Sequence, residues 1–160
     1  MNNILLYNGE SPVLETPYRS PLAIVEAIKD IIKDKTVCEL GAACGDLLIE
    51  MGKYAKEIKG MELDPERVKI CQKRNLNVIE GSIYDQPIPE AEVYYFWCDL
   101  YFMLPKILRK GIWIIGSDKS EGEDKEIEKL NLPGYWIDVE YNEGSGWREN
   151  GIKRLFITKI

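Results

Sequence analysis

The chain has 160 residues, 45% hydrophobic and 30% charged, with a formal net charge of -6. That balance fits one globular domain with a real core, and its acidity argues against the backbone of a nucleic-acid duplex as partner. No apolar run approaches the roughly 20 residues of a membrane span, and the start lacks the pattern of a secretory signal, so a cytoplasmic protein is expected.

The elements follow in chain order. Residues 1–20 read as an N-terminal arm, because NGESPVLETPYRSP carries three prolines that favour extended chain. Ser20-Pro21 then offers an N-cap and first-turn pair for the helix LAIVEAIKDIIK. TVCEL is a short buried strand, GDLLIEMGKYA a helix with Leu47, Leu48 and Met51 on one face, and EIKGMEL a second strand. Asp64-Pro65 opens the helix PERVKICQKRN, whose basic residues read as a solvated face. NVIEG and the aromatic run AEVYYFWCDL are the third and fourth strands, LPKILRK a short helix, and GIWIIGSD the fifth strand. EGEDKEIEKL reads as a solvated helix, and GYWIDVEYN and KRLFITKI close the chain as two strands joined by turn residues. The expected fold is α/β: a doubly wound, mainly parallel seven-stranded sheet with an antiparallel C-terminal edge hairpin and helices on both faces, as one domain over 1–160.

In such a sheet the ligand lies outside the carboxyl ends of the strands, beside the first one. VCELGAACGD, residues 37–46, places Gly41 there, where the backbone turns sharply against a ligand, and Gly45 where a helix packs on the strand. Glu62 ends the second strand 21 residues after Gly41, where a carboxylate accepts ribose hydroxyls. A dinucleotide loop would need glycine at Ala43 and Asp46. Asp46 would compete with phosphates for the helix N-terminus, so a phosphate-free, positively charged nucleoside is the better ligand.

These residues resemble the class I S-adenosylmethionine-dependent methyltransferases. Their first motif is matched by ELGAACG from Glu39 to Gly45, with Ala43 in place of the middle glycine, and the acidic second motif by GMELD. The third resembles IEGSIYD, which includes Gly81. The resemblance spans residues 15–118 and implies S-adenosylmethionine as cofactor. It implies Glu62 and Leu63 at the ribose, Ser82 and Ile83 at the adenine, and Glu39, Gly41, Ala43 and Gly45 at the loop and aminoacyl end. TPYRSP is similar to the arm of the small protein-lysine methyltransferases of this class, which implies Tyr18 against the methionine end. After the fourth strand, Trp97 or Tyr101 could lie against a sulfonium or an ammonium, and Asp99 could orient the acceptor, which makes Asp99 and Tyr101 the catalytic candidates. Two prolines of the signature for nucleobase and glutamine amines are missing there.

The chain has no histidine, hence neither the commonest general base nor the commonest zinc ligand, and its four cysteines form no C-x-x-C pair. Methyl transfer to an amine needs no dedicated base once the amine is neutral, so a protein lysine acceptor is expected, without a metal. Two alternatives stand beside it. One is a small-molecule methyltransferase, in its metal-dependent form holding Mg²⁺ between Asp99 and Asp118. The other is a nucleoside-binding protein without turnover. Lysine, glutamate and isoleucine richness hints at a heat-loving source.

Overall fold

The computed structural model describes residues 4–7, 11–14, 20–97, 101–118, 122–145 and 148–160. Part of the proline-bearing arm is paired: β1 (Ile4–Tyr7) and β2 (Ser11–Leu14) form an antiparallel ribbon with Pro12 opposite Leu6. Proline lacks an N–H for a ladder and is tolerated where no further strand pairs on its other side.

α1 (Ala23–Ile32) buries Ile24, Val25, Ile28 and Ile32, one stripe at helical spacing. Each such side chain contributes about 1.5–3 kcal/mol when fully buried. Its start differs from the expected serine cap. Ser20 turns inward, its hydroxyl 2.8 Å from that of Tyr95, and the amides of Leu22 and Ala23 donate instead to the Glu143 carboxylate. An acid far along the chain does what Ser20 was expected to do, because a carboxylate accepts two orphan N–H groups where a hydroxyl accepts one.

β3 (Thr36–Leu40), α2 (Asp46–Met51), β4 (Glu57–Glu62), α3 (Pro65–Lys73) and β5 (Val78–Glu80) continue the alternation. Asp64 caps α3 as its sequence predicts, accepting from the amides of Glu66 and Arg67. β6 (Val93–Phe96) and a 3-10 turn at Tyr101–Met103 lead into α4 (Leu104–Ile107) and β7 (Ile112–Asp118). α5 (Glu123–Glu128), β8 (Gly134–Ser145) and β9 (Arg148–Lys159) complete the order. α5 is not wholly solvated: Ile127 is buried in the core.

The seven-stranded sheet runs β5-β4-β3-β6-β7-β9-β8. β3 pairs in parallel with β4 and β6, β4 with β5, and β6 with β7; β9 is antiparallel to both β7 and β8. This is the expected sheet. Side-chain alternation splits the core in two. Val37, Val93, Tyr95, Ile114, Leu155 and Ile157 meet α1, α2 and α3 on one face. Cys38, Tyr94, Phe96, Trp113, Ile115 and Phe156 meet α4 and α5 on the other. Tyr94 stacks on its cross-strand neighbour Trp113 at 4.7 Å, a pair worth about 0.5–1.5 kcal/mol beyond burial. Among the described residues no helix is long and apolar enough to cross a membrane.

Candidate functional site

The strand order reverses between β3 and β6, so their carboxyl ends diverge into a crevice at Gly41. The loop from Gly41 to Gly45 carries three left-handed residues: Gly41 at φ 85°, Ala43 at 51° and Gly45 at 88°. A side chain costs roughly 1–2 kcal/mol in that region, so Ala43 stands where glycine would be free of strain.

The glycines divide the work differently from the sequence reading. A Cβ on Gly41 would meet nothing within 4 Å: the space beyond it is open. A Cβ on Gly45 would lie 2.2 Å from Leu76 Cδ1 and 3.3 Å from Cys71 Sγ, so Gly45 packs against the end of α3 rather than against β3. The glycine that lets α2 approach the sheet is Gly60, where a Cβ would meet Leu48, Ala42 and Val78 at 2.8–3.0 Å. Sequence reasoning passed over it as an ordinary strand residue; a glycine inside a strand was the available signal.

Glu62 is 7% exposed and already engaged. Its carboxylate accepts from Ala43 N at 2.7 Å and from Asp64 N at 3.0 Å, tying the first loop to the second. Each carboxylate oxygen retains a lone pair, so a ribose hydroxyl remains a compatible partner. Gly41 N and Ala42 N both donate to Met61 O, and Gly45 N to Ala42 O. Four of the loop's amides are thus spent internally. A pyrophosphate would find few donors in the loop itself, which adds to the argument from Asp46 against a dinucleotide. That carboxylate is itself paired, 2.7 Å from the Arg74 guanidinium.

Glu39 is the last residue but one of β3 and is 5% exposed. Its Oε2 is buried with no hydrogen-bond partner, and burial, followed by the charges of Glu62 and Asp46, holds its carboxyl well above the usual range. An orphaned carboxylate oxygen, acids around it and open space beyond Gly41 suit a ligand that brings positive charge. Tyr95, in register with Glu39 on β6, is buried and holds its phenol proton above the ordinary range.

The remaining candidates separate. Ser82 Oγ accepts from Tyr84 N at 3.2 Å within its own turn and keeps a proton to donate. Leu63 is 68% exposed beside the crevice, whereas Ile83 leans on the second core cluster. Tyr101, expected to lie against a sulfonium or an ammonium, is buried among packed side chains. Its ring meets Phe96 edge-on, and its hydroxyl lies 2.7 Å from Gly116 O and 3.1 Å from Glu123 Oε2. The Trp97 indole N–H points to the same Glu123 oxygen at 3.4 Å, and the buried Lys153 ammonium lies 3.2 Å from the centre of its ring. One face of Trp97 is therefore covered by the chain's own cation, which the alternation of KRLFITKI did not announce. Tyr18, Cys98 and Asp99 lie outside the described residues, and so therefore does one half of the Asp99–Asp118 pair. No metal-ligand cluster occurs among the described residues.

Cys38, Cys44 and Cys71 are buried, with thiols pushed by burial to about 12, 11 and 12.

The strand order defines a Rossmann-like sheet, and solved structures of that fold include several methyltransferases. The N-methyltransferase NodS of Bradyrhizobium japonicum WM9 is 12% identical over 87% of this chain and 94% of its own, with a TM-score of 0.61. A second structure of NodS holds S-adenosyl-L-homocysteine. Precorrin 8W decarboxylase of Methanobacterium thermoautotrophicum is 14% identical, over 92% and 97% of the two chains, at a TM-score of 0.63. A dimethyladenosine transferase of Plasmodium falciparum is 18% identical over 86% of this chain and 60% of its own, again at 0.63. At such identities the likeness is one of fold. No family model matches the chain, and no curated protein matches it by sequence.

Proposed function

We propose that the chain is an S-adenosylmethionine-dependent methyltransferase. The observation that carries this reading is the orphaned Glu39 carboxylate at the switch point, beside a loop whose amides are too occupied to take a phosphate. The cofactor, when bound, supplies an electrophilic methyl group on a cationic sulfonium. Glu39 and the Gly41 backbone would hold its aminoacyl end, Glu62 with Leu63 its ribose, and Ser82 its adenine. That the fold includes an N-methyltransferase and an S-adenosyl-L-homocysteine complex supports the same reading.

The protein's part in an in-line displacement is alignment and exclusion of water. Glu39, desolvated beside Glu62 and Asp46, gains most from a cation and little from a neutral group, so it favours a sulfonium over an uncharged thioether. Within this reading the acceptor is a protein lysine. What supports it is the brevity of the connections. The longest between consecutive elements is residues 81–92, and none is long enough to wall off a small molecule. Trp97 does not offer the acceptor the face that Lys153 covers; the Lys153 ammonium acts through charge, favouring the neutral form of an amine brought near it.

Calorimetric titration with S-adenosylmethionine and S-adenosyl-L-homocysteine, with NAD as control, tests the cofactor. Binding of the first two and not of NAD, weakened by Glu39→Gln, is expected; binding of none sinks the reading. Transfer of a labelled methyl group into protein, RNA and small-molecule fractions of a cell extract then tests the acceptor. Label confined to the RNA or small-molecule fraction would reject lysine while leaving the enzyme.

A further inference from the structure

We propose that Arg74 is a positioning residue for the nucleoside loop, a role that rests on the cofactor reading above. Its position in the basic run of α3 suggested a solvated side chain. Instead the Arg74 side chain is 5% exposed and reaches from the C-terminal end of α3 across to the first loop. One guanidinium nitrogen donates to Cys44 O at 2.6 Å and to Asp46 Oδ1 at 2.7 Å.

The need for it follows from Ala43. This residue is left-handed, at φ 51°, in a loop where glycine would adopt that conformation without strain. An alanine stays there only if the peptides around it are tied down. Three side chains do so. Glu62 takes the Ala43 N–H, the Cys71 thiol donates to Ala43 O at 3.2 Å, and Arg74 holds the next carbonyl, that of Cys44. Two of the three come from α3. The same guanidinium fixes Asp46, the first residue of α2, whose N-cap Gly45 supplies no side-chain cap. Arg74 thereby sets the angle between the loop and the helix that follows it, without lying among the groups expected to touch the cofactor. Both bonds leave the same nitrogen, Nη1, whose two N–H directions are fixed in the guanidinium plane, as those of an ammonium on a flexible stem are not.

The test is the dissociation constant of S-adenosyl-L-homocysteine, measured by calorimetry, with the melting temperature of the free protein recorded for each variant. Arg74→Met is expected to weaken binding by about 10- to 100-fold, the range for loss of a group that supports ligand-contacting residues. Adding Ala43→Gly to Arg74→Met is expected to restore at least threefold of that loss, because glycine holds the left-handed conformation unaided. A role in stability alone would lower the melting temperature and leave both constants at the wild-type value, and that result overturns the proposal. So does a loss of binding that Ala43→Gly leaves untouched. If Arg74→Met does not fold, Arg74→Lys carries the test, since a shorter side chain ending in a freely rotating ammonium does not fix the directions of the two bonds as the guanidinium plane does. A loss of at least threefold is expected, and an unchanged constant overturns the proposal. A wild-type protein that binds no S-adenosyl-L-homocysteine removes the cofactor reading itself, a result distinct from any of these.

Discussion

Gly41 and Gly45 share a left-handed backbone but not a neighbourhood, and alanine at each separates the cost of strain from the cost of filling space. At Gly41 the added methyl meets no protein atom within 4 Å, so only the strain of a left-handed residue is felt, about 1–2 kcal/mol. For a chain of this size that lowers the melting temperature by roughly 2–8 °C. At Gly45 the same strain is joined by a methyl 2.2 Å from Leu76 Cδ1. Leu76 must turn out of its packed position, and overpacking of this kind adds about 1–3 kcal/mol. The sum, about 2–5 kcal/mol, lowers the melting temperature by roughly 4–20 °C. Affinity should rank the other way. The Gly41 methyl projects into the open crevice and is expected to cost S-adenosyl-L-homocysteine at least tenfold, about 1.4 kcal/mol. Gly45→Ala should cost less than that. Differential scanning fluorimetry and calorimetry on the same preparations give both numbers. Equal melting temperatures for the two variants would refute the packing argument. Wild-type affinity in Gly41→Ala would refute the assignment of the crevice.

Glu39 keeps its proton to higher pH in the folded chain than in the unfolded one, so it costs no stability below pH 4.5 and an increasing amount as pH rises from there toward its native value. Glu39→Gln should therefore melt higher than wild type at pH 7 and converge with it near pH 4, while binding S-adenosylmethionine more weakly. Calorimetry in buffers of different ionisation enthalpy should register proton release on binding to wild type and none to the variant; a release that survives in the variant would assign it elsewhere. Cys38, Cys44 and Cys71, with thiols pushed up to about 11–12, should resist a thiol-reactive disulfide reagent at pH 8 until the protein is denatured, and rapid native labelling mapped to any of them would contradict their burial. Glu143→Ala removes the acceptor at the start of α1 and should cost about 0.5–2 kcal/mol in denaturant unfolding. No loss would mean that water replaces it fully.

The alternation of apolar strands and amphipathic helices dictated the sheet, because burial on both faces leaves those strands no polar side to show. The crevice was legible for the same reason: glycines after β3 and an acid ending β4 are backbone and charge requirements that short stretches of sequence carry. What escaped were relations between distant residues. Nothing in the run RVKICQKRN distinguishes Arg74 from its solvated neighbours, since its partners lie in a loop some thirty residues earlier. Glu143 in the place of Ser20 as the cap of α1, and Lys153 over Trp97, are likewise accidents of which strand ends lie side by side. The burial of Tyr101 was not legible either, because an aromatic residue after a strand reads alike whether it is open to a ligand or packed beneath the surface.

The insertion of β9 between β7 and β8 bears on the order in which this molecule is made. β8 reaches the sheet only through β9, so as the chain leaves the ribosome the sixth strand of the sheet has no partner waiting for it. The parallel strands around the crevice, β3 to β7, can assemble first. The last-made strand then seats against β7 and β8 in one step, and withdrawing it by force would break two ladders at once.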